Sequence, residues 1–76
     1  MASLCVFVTG GGGSEVNYSA TSSFGDTVNG SVPVDAADNP QKTNVDIVNA
    51  AKQDHVAQFN RTWGPQDKFL LFGGRT

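Results

Sequence analysis

The residue types that most often carry out chemistry are few in this chain, and they are spread along it. Cys5 is the only cysteine and His55 the only histidine. One of each cannot form the closed four-ligand shell of a structural zinc site, and a lone cysteine excludes a disulfide within the chain. The seven carboxylates lie singly, which indicates neither a calcium loop nor a paired acid and base. We therefore expect no metal and no cofactor.

His55 is the one candidate for a general base. It follows Asp54, but neighbouring residues on a helix do not face each other. No Ser or Cys nucleophile has a motif around it, and Cys5 lies in an apolar segment where thiols are usually inert. We interpret His55 as a residue on the flank of a helix and predict that the chain is not an enzyme.

The glycine run Gly10–Gly13 follows an apolar segment, as in the opening of a dinucleotide-binding fold. That chemistry needs a helix directly after the glycines, with its N-terminus facing the pyrophosphate. Here a strand-like segment, 16–19, follows instead. The Lys-Ser/Thr pair of a P-loop is also missing. The sequence thus predicts no nucleotide site and no small-molecule substrate.

The elements that position these residues follow from hydrophobic periodicity. The chain is long enough for a single domain, residues 1–76. We predict an α+β fold in which a small β-sheet of three to four strands carries one amphipathic helix on one face. The predicted elements are a strand at 2–9, a glycine loop at 10–14, strands at about 15–24 and 27–34, a helix at about 41–60 and a strand at 67–72.

The predicted helix has a possible N-cap at Asn39, with Pro40 in its first turn; Thr43 or Asn44 is the alternative cap. Gly64-Pro65 stops it. A 3-4 spacing predicts a buried stripe, with three further residues at its flank. The stripe is Val45, Val48, Lys52, Val56, Phe59 and Trp63, and the flank is Ile47, Ala51 and His55.

Two dipeptides between the second and third strands are candidates for a hairpin turn. Gly25-Asp26 is one. Asn29-Gly30 has the stronger signal, because this pair favours the type I′ turn of two-residue hairpins. We therefore expect Asn29-Gly30 to lie at an exposed turn.

Composition narrows the class of partner. Ser, Thr, Asn and Gly make up 27 of the 76 residues, and the net charge is only −2. A polar but weakly charged surface suits hydrogen-bonded contacts between proteins, and five scattered Lys and Arg residues are no footprint for nucleic acid. The apolar run 4–8 is too short for a signal peptide or a membrane span. We expect no nucleic-acid partner, no membrane contact and no secretion by a signal peptide.

The first and last strands are apolar on both of their faces. A strand of this kind expects cover on both sides, and one helix covers only one face of a small sheet. The other face is then either partly exposed or buried against another protein chain, and we predict the second. Trp63 is either an anchor of this interface or a plug of the core at the helix end. The candidate interface residues are Leu4, Val6, Phe7, Val8, Trp63, Phe69, Leu70, Leu71 and Phe72.

The order of several segments between residues 31 and 74 resembles small accessory virion proteins of tailed bacteriophages. These segments are Ser31-Val32-Pro33-Val34-Asp35, Asn39-Pro40, the helical Val45-Asp46-Ile47-Val48-Asn49-Ala50-Ala51, and Phe69-Leu70-Leu71-Phe72-Gly73-Gly74. The resemblance implies a capsid cement, decoration or tail-associated protein, present in many copies and without catalysis. It also implies assembly in the host cytoplasm and location in the virion.

Two functions from different classes remain open. One is a structural assembly protein, whose partners are copies of itself or a larger virion assembly. The alternative is a small soluble binding module, such as an inhibitor or adaptor of a host protein. An assembly protein should associate with identical subunits, whereas an adaptor should be a monomer that binds one target.

Overall fold

One helix lies across one face of a four-stranded sheet in the computed structural model, which describes all 76 residues. This confirms the predicted α+β class. The elements in chain order are β1 (Ser3–Gly11), β2 (Glu15–Ser22), β3 (Thr27–Pro33), α1 (Pro40–Phe59) and β4 (Lys68–Phe72).

The strands lie in the order β3-β2-β1-β4. β1, β2 and β3 form an antiparallel meander, whereas β4 pairs in parallel with β1. A parallel neighbour requires a long crossover, because the chain must return to the end of the sheet at which β1 began. Helix α1 is that crossover, which explains why one sheet face is covered and the other is not.

The core lies between α1 and the inner face of the sheet, the face that the helix covers. Side chains alternate along each strand, so every second residue points to this face. The buried apolar residues are Leu4, Val6, Val16, Tyr18, Ala20, Val28 and Val32 from the sheet, with Ile47 and Ala51 from the helix.

The helix begins where its capping residues predict. The Asn39 side chain accepts a hydrogen bond from the Lys42 amide at 2.7 Å, and Pro40 occupies the first helical turn. This confirms Asn39 as the N-cap over Thr43 or Asn44. The helix ends at Phe59, before the predicted stop at Gly64-Pro65, and its C-cap Asn60 takes the left-handed conformation with φ 54°.

The predicted buried stripe of the helix is wrong. The buried helical residues are Thr43, Ile47, Ala51 and His55. The last three are the predicted flank, and Thr43 was not part of the predicted stripe. Val45, Val56 and Phe59 are instead exposed. Short side chains such as Ala51 and Thr43 let the helix lie close to the sheet, and this close approach decides the face more strongly than the number of large apolar residues does.

The predicted turn at Asn29-Gly30 is also wrong, because both residues lie inside β3. The hairpin instead turns at residues 23–26, where Gly25 has φ +97°. Gly30 pairs with Tyr18 across the strands, and a Cβ at this position would overlap the Tyr18 hydroxyl. This glycine therefore serves close packing against an aromatic ring.

The glycine run is divided between a strand and a loop. The predicted loop covered 10–14, but Gly10 and Gly11 belong to β1, with an irregularity in the β1–β2 register between Val8 and Gly10. Only residues 12–14 connect the two strands. The glycines thus extend and bend β1 rather than form a long mobile loop.

Candidate protein-interaction surface

The outer face of the sheet, opposite the helix, has no cover from this chain. On β1 and β4 it carries Cys5, Phe7, Leu70 and Phe72, because their neighbours Leu4, Val6, Phe69 and Leu71 point to the inner face. In the parallel register Leu70 lies beside Cys5 and Phe72 beside Phe7. Two apolar strands therefore place their exposed side chains next to each other.

We call Phe7, Leu70 and Phe72 the aromatic patch. The Phe7 and Phe72 rings stack with centroids 4.9 Å apart and planes inclined by 15°. Their exposed fractions are 44% and 47%, and that of Leu70 is 46%. These three large side chains lie next to one another and are exposed to solvent on the side away from the sheet. The patch is therefore the most apolar part of the outer face.

The other half of the outer face is polar, and Glu15 at the start of β2 is its one charged residue. It continues from the aromatic patch across β2 and β3, where the Thr21 and Thr27 hydroxyls form a 2.8 Å hydrogen bond. Its residues are Asn17, Ser19, Thr21, Thr27, Asn29 and Ser31. Lys68, at the start of β4, and Glu15, at the start of β2, are the only charged residues on the outer face of the four strands, and they lie at opposite ends of the sheet. An apolar centre with a neutral, hydrogen-bonding rim is typical of protein–protein interfaces.

The nine candidate interface residues fall into three groups in the structure. Leu4 and Val6 are fully buried beneath the helix, so their inclusion in a partner surface is corrected: they belong to the core. The second group is only partly buried and packs on the inner face against that core; it comprises Val8, Trp63, Phe69 and Leu71. Phe7, Leu70 and Phe72 alone point to the outer face.

Trp63 closes the core at the C-terminal end of the helix. Its indole Nε1 donates to the Lys52 carbonyl at 3.3 Å, and its ring meets the Phe69 ring edge-on at 5.4 Å. Lys52 in turn holds its ammonium 4.4 Å from the Phe69 centroid. Of the two interpretations of Trp63, these contacts favour the core plug.

His55 lies in a buried cluster that also contains charged residues. Its Nε2 is 3.0 Å from the Ala20 carbonyl oxygen, which can only accept, so Nε2 carries a hydrogen and donates. Its Nδ1 lies 3.3 Å from Asp26 Oδ1 without a hydrogen bond between them. The interpretation of His55 as a flank residue is wrong, because its side chain is fully enclosed.

Asp26 joins the hairpin turn to the end of the helix. The Ser22 hydroxyl donates to its Oδ1, and the Arg61 guanidinium donates to its Oδ2 through Nε, at 2.8 Å, and through Nη2. The Ser22 hydrogen bond, followed by the Arg61 charge, holds the pKa of Asp26 below its ordinary value. The carboxylate is therefore favoured in the folded chain.

Ser22, His55 and Asp26 are residue types that form catalytic triads, but their connections differ from those of a triad. Nucleophilic catalysis needs a hydroxyl bonded to the imidazole, whereas the Ser22 hydroxyl bonds Asp26. The imidazole nitrogen that would accept the proton faces Asp26, and the other donates to the backbone of Ala20. This geometry braces the β2–β3 turn against the helix. Sequence reasoning missed it, because residues 22, 26, 55 and 61 have no shared local pattern.

A second brace joins the middle of the helix to the sheet. The Tyr18 hydroxyl donates to the Asp54 carboxylate. Burial, and then this hydrogen bond and the Asp54 charge, raise the pKa of Tyr18 far above its ordinary value. Tyr18 therefore stays protonated and fixes α1 over β2 and β3.

An open groove of about 270 Å³ lies where the helix leaves β4 uncovered. Its lining is Asn44, Val45, Val48, Asn49 and Leu71, with the apolar side chains at its floor and walls. The structure has no group of three or more His, Cys, Asp or Glu residues suited to hold a metal ion. Helix α1 is also not apolar enough to span a bilayer.

Comparison with known proteins gave no match for this chain, whether with protein-family models, with curated proteins or with solved structures.

Proposed function

We propose that this chain is a non-enzymatic structural protein that assembles with other protein chains through the outer face of its sheet. The observation that carries the proposal is the aromatic patch, in which two stacked Phe rings and a Leu remain almost half exposed. Burying one large apolar side chain, rather than leaving it exposed to water, contributes about 1.5–3 kcal/mol of free energy. A partner surface recovers this free energy for three side chains at once.

The chemistry of the outer face supports a protein partner. Nucleic acid and anionic lipid require clustered Lys and Arg residues, and Lys68 is the only one on the strands of this face. The hydroxyl and amide groups beside the patch suit backbone and side-chain hydrogen bonds with another protein. The partner that we propose therefore has an apolar centre and a neutral rim.

The resemblance to accessory virion proteins supports a more specific role. We propose that the chain is a virion component, such as a capsid cement or decoration protein, present in many copies. Mass spectrometry of purified particles from the source of the sequence should detect it at a stoichiometry comparable to a major structural protein. Its presence only in the soluble fraction of infected cells would contradict this role.

The test of assembly is the mass of the purified chain in solution, measured by light scattering over a wide range of concentration. The wild-type mass should rise with concentration, and the double variant Phe7→Ser, Phe72→Ser should remain a monomer. The control Gln53→Ser, Gln58→Ser changes two exposed residues of α1, on the opposite side of the molecule, and should behave as wild type.

A wild-type chain that stays monomeric at every concentration would contradict self-assembly. If that monomer binds a single target through the aromatic patch, the adaptor function is correct instead. Circular dichroism of each variant shows whether loss of association comes from loss of fold.

A further inference from the structure

The outer edge of β4 has backbone groups without partners. The Lys68 amide donates to the Ala2 carbonyl at 3.0 Å, so Lys68 turns its N–H and C=O toward β1. Because these groups alternate along a strand, Phe69 and Leu71 turn theirs away from β1. β4 pairs only with β1, and no turn, loop or side-chain hydrogen bond reaches the backbone of either residue. A row of free donors and acceptors is a template for another strand.

Residues 73–76 do not cover this edge. Gly73, with φ +79°, turns the chain against Val8 of β1. The Asn44 side chain then exchanges two 2.8 Å hydrogen bonds with the Arg75 backbone. The chain thus folds back over the inner face of the sheet toward the helix. The edge of β4 that does not pair with β1 stays open.

We propose that β4 pairs with β4 of a second copy of this chain, antiparallel and about a two-fold axis at Leu70. The inference rests on the proposed function, since it names the first assembly partner as an identical chain. In this register each Phe69 lies opposite Leu71 of the other copy. Both residues turn their backbone groups outward, so each such pair exchanges two hydrogen bonds and the two sheets become one of eight strands.

The side chains of this register are complementary. On the outer face Leu70 meets Leu70, and Lys68 meets Phe72 of the second copy, so no like charges face each other. On the inner face, Phe69 of the second copy lies beside Leu71, at the groove formed with Val45 and Val48. The pairing thus borders an apolar groove with a further apolar side chain and also extends the aromatic patch across two copies.

Disulfide trapping tests the register. In a Cys5→Ser background, Leu70→Cys places two thiols opposite each other on the axis. Their Cα atoms would lie about 4.5 Å apart, as in any non-hydrogen-bonded antiparallel pair, which a disulfide can span. Mild oxidation should convert most of this variant to a covalent dimer.

Phe72→Cys is the matched control, because it lies on the same face of the same strand but two residues from the axis. Its thiols in two copies would be roughly 14 Å apart, from a rise of ~3.4 Å per residue, and should not cross-link. A mixture of Lys68→Cys chains with Phe72→Cys chains should form the mixed dimer, since these positions face each other. Equal cross-linking at Leu70 and Phe72 would overturn the register.

A variant without an engineered thiol tests the pairing independently. Leu70→Lys places like charges opposite each other and should raise the dimer dissociation constant by more than about tenfold. Gln53→Lys adds the same charge on the exposed surface of α1, on the opposite side of the sheet, and should leave the constant unchanged.

The outcomes separate this inference from the function on which it rests. Absence of the Leu70→Cys dimer, with an oligomer that still depends on Phe7 and Phe72, would overturn edge pairing and leave assembly through the outer face intact. A wild-type monomer at all concentrations would overturn both.

Discussion

The two edge strands of the sheet, β3 and β4, differ in their residues, although each has a row of backbone groups without a neighbouring strand. The Val34 amide, just after β3, donates to the Ser14 carbonyl, so Val34 turns its backbone groups toward β2. The alternate residues Asn29, Ser31 and Pro33 therefore turn their backbone groups away from β2, toward the free edge. Two of these are polar, and Pro33 has no N–H to offer a further strand. On β4 the outward residues are Phe69 and Leu71, and the strand has no proline, no bulge and one charge at its start.

The helix increases this difference. It packs more closely against β3 than against β4, and the Tyr18–Asp54 and Asp26–Arg61 contacts hold it on that side. The β3 side is thus closed, and the β4 side retains a groove and an apolar edge. Proteins usually protect their edge strands, and the comparison shows that β3 carries such protection whereas β4 does not, which supports the pairing that we propose for β4.

The largest expected effect is on the free energy of unfolding, at the buried position Ile47 of α1. Ile47→Ala should lower the free energy of unfolding by about 2–5 kcal/mol, because it empties a fully buried site. Val45→Ala, at a residue 56% exposed on the open side, should change it by less than about 0.5 kcal/mol. Urea denaturation measures both, and equal losses would show that the helix covers both sides alike.

The next effect tests how closely β3 is packed. Gly30→Ala should cost about 1–3 kcal/mol, the range for overpacking, because the new methyl would overlap Tyr18 and lie 3.0 Å from Asp54 Oδ2. Gly12→Ala is the control, since no atom lies within 4 Å of its added Cβ. Thermal melts of the two variants should differ clearly; similar melting temperatures would mean that Tyr18 moves away without cost.

Acid should weaken both sides, each through one carboxylate. Hydrogen bonds from Ser22 to Asp26, and from the Gly64 and Ala2 amides to Asp67, hold both pKa values below the ordinary 3.8. The folded state then binds protons less readily than the unfolded state, so this stability is complete above about pH 5 and is lost as pH falls through the folded-state pKa values.

The measurement is the urea midpoint at a series of pH values between neutral and strongly acid. Asp26→Asn and Asp67→Asn should each flatten the acid limb of the curve. Glu15→Gln, which changes an exposed carboxylate without a hydrogen bond, is the control. An unchanged acid limb in both Asp variants would show that other groups determine acid unfolding.

The smallest effect on the fold is expected at the aromatic patch. Leu70→Thr should change the stability of the dilute chain by less than about 1 kcal/mol, because the side chain is already almost half exposed. Its self-association should nevertheless weaken, whereas Asn29→Thr on the opposite edge strand should alter neither quantity. Sedimentation velocity distinguishes the two; equal association would remove the difference between the edges.

The elements of the fold could be predicted because their signals are local. The β-branched and aromatic runs predict strands, and Asn39 with Pro40 predicts the start of the helix. The buried helix face could not be predicted in the same way. Thr43, Ala51 and His55 are small or polar, and the contacts of His55 are with Ala20 and Asp26, which are distant in the sequence.

An uncovered sheet face could be predicted from the sequence, but not which residues lie on it. Strands that are apolar on both faces indicate that one face needs another cover. They do not say whether Leu4 and Val6 or Cys5 and Phe7 lie under the helix, since both sets alternate equally well. That choice follows from the crossover of α1, which only the completed fold defines.

The parallel pairing of β1 with β4 has a consequence for synthesis of the chain. β1 is made first, but its β4 neighbour begins 65 residues later, with Ser3 paired to Lys68. Closing so long a loop is a late and slow step in folding. A ribosome-bound chain therefore carries the meander and the helix before it carries the edge that we assign to assembly. The pairing that we propose through β4 therefore has to wait until β4 has been made, so that unfinished chains on one messenger RNA lack the edge through which they would pair.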